Sequence, residues 1–89
     1  MLQKKLTISN KLGLHARASA KLVEHAAHYG SDIWLVRGDR KVNGKSIMGV
    51  MMLAASKGAE IELIITGEDE EAAMADLETL INNKFNERE

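Results

Sequence analysis

The 89 residues are enough for one domain, spanning 1–89, in which about 60 to 65% of the unfolded surface is buried, so a core forms without staples. The absence of cysteine excludes disulfides, thiolate metal sites and thiol nucleophiles, and it suits a reducing cytoplasm. A net charge of −1 and 3% aromatic residues supply neither the basic stripe nor the stacking rings of a nucleic-acid surface, and no apolar run approaches the roughly 18 residues of a membrane span or follows a signal-peptide pattern.

In Leu2–Ile8 the residues Leu2, Leu6 and Ile8 fall on alternate positions, the period of a half-buried strand. Asn10 to Leu14 then forms a loop around Gly13, and a helix is expected from about Ala16 to His28. Its inner stripe is read as Ala16, Ala20, Val23 and Ala27 beside Leu22 and Ala26, with Arg17 on the wet side. Tyr29-Gly30 is read as a stop in which Gly30 supplies a left-handed backbone.

Ile33 to Val36 and Arg40 to Val42, separated by Gly38-Asp39, predict an antiparallel hairpin. Ser46 is a candidate N-cap for a short helix through Ile47, Met48, Val50, Met51 and Met52. Ile61, Leu63 and Ile65 predict another strand turned at Gly67, and the acidic run Glu68 to Glu71 favours the positive end of a last helix. That helix buries Ala73, Met74, Leu77, Leu80, Ile81 and Phe85, and the tail from Asn86 to Glu89 is expected to fray. The order β-α-β-β-α-β-α predicts an α+β fold in two layers, a four-stranded antiparallel sheet with three helices on one face.

The junction at His15 carries chemistry. A helix start has unpaired N–H groups and the positive end of the macrodipole, here the backbone of Ala16 and Arg17, so an anion is favoured beside the imidazole. Arg17 adds a permanent cation whose fork of donors suits phosphate, and both the helix end and Arg17 oppose a positive charge on the ring. His25 and His28 are too far from His15 to share an ion with it, about 15 Å along the helix for His25, and they lack a third ligand. Neither a metal site nor a cofactor is expected. The methionines around Met48 and Met51 suit an adaptable binding surface as well as a core.

Gly13-Leu14-His15-Ala16-Arg17, then Lys45-Ser46-Ile47-Met48-Gly49-Val50-Met51, then Lys57-Gly58-Ala59-Glu60-Ile61 resemble, in this order and spacing, the HPr family of histidine-containing phosphocarriers across essentially the whole chain. The resemblance implies an open-faced sandwich in which His15 takes a phosphoryl group on Nδ1 from enzyme I of a phosphotransferase system and passes it to an enzyme IIA. It further implies that Ser46 is the position a serine kinase modifies in some members. One departure is Ala18, where most members carry Pro after the Arg. In this reading Ala20, Ile47, Met48 and Met51 form the docking patch of a monomer, and an acidic partner approaches Arg17, Lys21 and Lys45. The alternative is a regulatory module that docks targets through Ile47, Met48 and Met51 without carrying phosphate.

Overall fold

In the computed structural model, which describes residues 1–88, the elements run β1 (Leu2–Thr7), α1 (Ala16–Ala26), β2 (Asp32–Arg37), β3 (Arg40–Asn43), α2 (Ile47–Met52), β4 (Glu60–Thr66) and α3 (Glu70–Asn82), followed by a 3-10 turn at Lys84–Asn86. The strands form one antiparallel sheet in the order β1-β4-β2-β3. The three helices cover one face, so the expected α+β sandwich is the observed fold.

Alternation explains the sheet. Ile33 and Leu35 of β2 and Ile61, Leu63 and Ile65 of β4 are buried beneath the helices, while Trp34, Val36, Glu62 and Ile64 between them are only part-buried. The register places Ile33 against Ile65, Leu35 against Leu63, and Leu6 against Ile61, which lines up the apolar rows across the strands. The β2–β3 connection is the tight turn expected, with Arg37 opposite Arg40 and Gly38 at φ +60°.

The last helix buries Ala73, Met74, Leu77, Leu80 and Ile81 as its periodicity predicts, and Phe85 is fully buried beyond its end. The first helix departs from expectation in two ways. Its buried residues are Ala18, Ser19, Leu22 and Ala26, whereas Ala16 and Ala27 are exposed and Ala20 and Val23 only part-buried. The helix can turn this face inward because the Ser19 hydroxyl donates to the Leu14 carbonyl at 3.1 Å, so the hydroxyl is not stranded by its burial. It also ends at Ala26 rather than His28, without a left-handed Gly30. Asp69 ahead of α3 instead turns the chain, accepting from the N–H groups of Gly30 at 2.9 Å and Ser31 at 3.0 Å and from the Ser31 hydroxyl.

The tail does not fray through its described part. Lys84, Phe85 and Asn86 adopt φ of +57°, +56° and +63°, folding the chain back so that Glu87 reaches the start of α1. Glu89, also included in the fraying expectation, lies outside the described residues.

Candidate functional site

A loop that leaves β1 and enters α1 sets the position of His15. Gly13 takes φ +66° and presses so close to Ala55 and Ser56 that a Cβ there would collide with the Ala55 carbonyl oxygen and sit 2.8 Å from the Ser56 Cα. No other residue type fits both constraints. Leu14 N–H then donates to the Ala55 carbonyl at 2.9 Å, locking the approach to the helix. Underneath lies Asn10, fully buried, whose Nδ2 donates to the Gly13 carbonyl at 2.8 Å.

His15 is the N-cap of α1, with φ −73° and ψ 178°, as the sequence predicts. Its carbonyl accepts from Ser19 N–H at 2.9 Å, the first turn of the helix, and its side chain folds over the helix start so that Nδ1 accepts from Arg17 N–H at 3.2 Å. An imidazole nitrogen thus takes the role that Ser or Asp oxygen usually plays at this position. Ala16, at the first helical position, contributes an N–H with no intrahelical acceptor. Arg17 is exposed, and among the described residues its guanidinium enters no ion pair. Helix-end donors and an imidazole nitrogen therefore meet at the start of α1, with the exposed Arg17 two residues along the chain, an arrangement able to receive an anion and form a bond to it.

The other ring nitrogen is occupied. Nε2 lies 2.5 Å from Glu87 Oε2, and Glu87 Oε1 accepts from Asn10 Nδ2 at 3.0 Å. Burial alone would push the Glu87 carboxyl up; hydrogen bonds from Asn10 and His15, with the charge of Lys21, hold it below the ordinary glutamate value. Neither Asn10 nor Glu87 is among the site residues expected from the sequence, and they stand 77 residues apart. Glu87 places an anion on the side of the ring away from the helix end, opposing the influence that Arg17 and the helix exert from the other.

The short helix α2 starts as expected, Ser46 Oγ accepting from Gly49 N–H at 3.1 Å. Only Val50 within it is buried. Ile47, Met48 and Met51 stand exposed, Met48 at 71%, and Ala20 of α1 is part-buried. Met52 and Leu12 are as exposed as the residues chosen from the sequence. Arg37 donates to the carbonyls of Leu53 and Ala54 and Arg40 to that of Met52, so the hairpin holds the C-terminal end of α2. Of the basic residues expected to meet a partner, Lys21 and Lys45 are tethered to the carbonyls of Phe85 and Tyr29 at 2.7 and 2.6 Å.

His25 and His28 do not act together. His25 Nδ1 lies 2.9 Å from Asp76, which also accepts from the Tyr29 hydroxyl at 2.7 Å and so joins α3 to the end of α1, while His28 is exposed. Hydrogen bonding to Asp76 raises the Tyr29 hydroxyl above its usual value.

Comparison with known proteins covers essentially the whole chain. Residues 2–83 match the family profile described as the PTS HPr component phosphorylation site. The chain is 54% identical to the phosphocarrier protein HPr of Neisseria meningitidis over 89 residues, the whole of both chains. Its fold matches the crystal structure of HPr-C-His from Thermoanaerobacter tengcongensis with a TM-score of 0.96 and 44% identity, all of both chains being covered. The Bacillus subtilis protein Crh, a swapped dimer in its crystal structure, matches at 43% identity and a TM-score of 0.76, covering 94% of this chain and 97% of that one. A monomer is therefore not dictated by this fold.

Proposed function

Because the chain belongs to the HPr family, the phosphocarriers of the phosphotransferase system, we propose that its His15 is the residue that carries the phosphoryl group, taking it from phosphorylated enzyme I and handing it to an enzyme IIA. The observation that supports this reading is the placement of His15 Nδ1 at the N-cap, against the N–H of Arg17. As the Nδ1 lone pair forms its bond to phosphorus, the donor's bond to phosphorus breaks, and the Arg17 N–H that Nδ1 gives up turns to a phosphoryl oxygen. The Ala16 N–H and the helix-end field add to this, typically about 0.3 to 1 kcal/mol for an anion at such a position. The unpaired Arg17 guanidinium steadies the incoming charge.

The partners supply the remaining catalysis and dock on Ala20, Ile47, Met48 and Met51, of which the three on α2 are exposed and Ala20 on α1 is part-buried. Ser46, at the start of α2, is the regulatory position. A phosphate there adds about −1.5 to −2 charges at the edge of that patch and weakens the approach of an acidic partner. The exchange takes place in the cytoplasm.

Incubation with phosphoenolpyruvate and enzyme I, followed by mapping of the modified residue by mass, tests the central assignment. An acid-labile label on His15, absent from His15→Ala, is expected. Undiminished labelling of His15→Ala overturns it.

A further inference from the structure

We propose that Glu87 is a positioning residue for phosphoryl transfer, its carboxylate accepting the proton of His15 Nε2 so that Nδ1 is presented unprotonated and the charge that forms on the ring is neutralised. The inference rests on the assignment of His15 as the phosphoryl acceptor and adds a residue of the tail to that site.

Two contacts fix the argument. Arg17 N–H donates to Nδ1, so Nδ1 is an acceptor and a neutral ring carries its proton on Nε2. Nε2 is the nitrogen that faces Glu87 Oε2, at 2.5 Å, and a carboxylate is its proper acceptor. The second oxygen of Glu87 is held by Asn10 Nδ2 at 3.0 Å, and Asn10 is itself fully buried beneath the loop before the helix. The side chains of His15 and Glu87 retain 27% and 17% of their exposure, so water competes weakly for either group. Asn10 thus orients Glu87, Glu87 orients the ring, and the ring presents its one lone pair, on Nδ1, to the helix start. The tight turn that buries Phe85 delivers Glu87 to this place.

The balance of the step shows why a carboxylate matters. When Nδ1 forms its bond to phosphorus and the donor's bond breaks, the ring gains a positive charge shared between its nitrogens while the proton stays on Nε2. That charge appears within hydrogen-bond distance of Glu87 and was absent before transfer, so the interaction strengthens as the bond forms. On the outward transfer the Nδ1–P electron pair returns to Nδ1, and the ring is again neutral with its proton on Nε2. The same contact therefore serves both directions.

The test compares the unaltered protein with Glu87→Ala and Glu87→Gln, using phosphoenolpyruvate and enzyme I, with kcat and KM for the carrier measured separately. For Glu87→Ala, kcat falls by about tenfold or more, the fold-change expected from losing a hydrogen bond to a charged group, while KM stays within about twofold because docking is untouched. Glu87→Gln keeps an acceptor without the charge and falls between the two. In the proton NMR spectrum a hydrogen-bonded Nε2 proton of His15 is seen in the unaltered protein and in Glu87→Gln and is lost in Glu87→Ala, with the remaining amide spectrum showing the fold intact. Unchanged kcat in Glu87→Ala, or a loss confined to KM, overturns the role of Glu87 while leaving His15 as carrier. Failure of the unaltered protein to take up phosphate overturns both. The ring-proton signal reports the Glu87 contact without any transfer.

Discussion

Lys21 Nζ, midway along α1, donates to the main-chain carbonyl of Phe85 at 2.7 Å. The bond falls on the turn where three consecutive non-glycine residues have positive φ, a backbone that costs of order 1 to 3 kcal/mol each in isolation. Burial of the whole Phe85 side chain offsets this, and Lys21 secures the carbonyl exposed by the reversal. Lys21→Met retains the apolar stem and loses the donor. It is expected to lower stability by about 1 to 2 kcal/mol in denaturant titration and to speed amide exchange at Asn86 and Glu87. Unaltered exchange at those amides would show that the turn holds without α1.

Ala18 is the third residue of α1, fully buried, where the N–H needs no intrahelical acceptor. Ala18→Pro therefore sacrifices no helical hydrogen bond, and the ring fixes the φ that the helix requires. The melting temperature is expected to change by no more than a few degrees, with phosphoryl uptake retained. A drop of ten degrees or more would mean that the core beneath α1 has no room for the ring.

Ser46→Ala removes the acceptor for Gly49 N–H and should cost about 1 kcal/mol, whereas Ser46→Asp keeps a cap and adds a charge. The stability order is then Asp above Ala. If Ser46 is the control point, the order of His15 phosphorylation rates by enzyme I is reversed, Ala above Asp. Equal rates would separate the cap from any control of docking.

Asp69 couples the start of α3 to the end of α1. Hydrogen bonds from Ser31 and Gly30 hold its carboxyl below the ordinary aspartate value, against the opposing effect of burial. A carboxyl lowered by folding adds stability that is fully present above the unfolded value, about 3.9, and is lost as pH falls through the lower folded value. Asp69→Ala should therefore melt below the unaltered protein at pH 7, and the gap should narrow as pH falls below about 4. A gap independent of pH would assign the effect to packing alone.

What could be read from the chain in advance was what local chemistry controls. His15 and Ser46 are legible as caps because each precedes a helix-forming run, and the hairpin is legible from Gly38-Asp39 between two strand-forming segments. The inner face of α1 differs from the expected stripe because a helix of many alanines gives a weak apolar period, so its orientation rests on Leu22 and on the hydroxyl of Ser19, whose burial depends on a carbonyl five residues earlier. Asn10 signalled only a loop. Glu87 had no local pattern to distinguish it from the other charges of the tail, since its partners lie at the opposite end of the sequence. The one available hint was Phe85, an apolar residue at the end of the α3 stripe that needed a way back to the core.

The order β1-β4-β2-β3 also governs when the chain can fold as it is made. β4 lies between β1 and β2, pairing Leu2 with Ile65 on one side and Ile33 with Ile65 on the other, so the first strand has no neighbour until the sixth of the seven main elements emerges. The β2–β3 hairpin closes early through local contacts, but β1 and the inner face of α1 wait with apolar residues uncovered. A nascent chain halted at Gly58 is therefore an aggregation-prone species rather than a smaller stable fold, and completion of β4 joins both halves of the sheet at once.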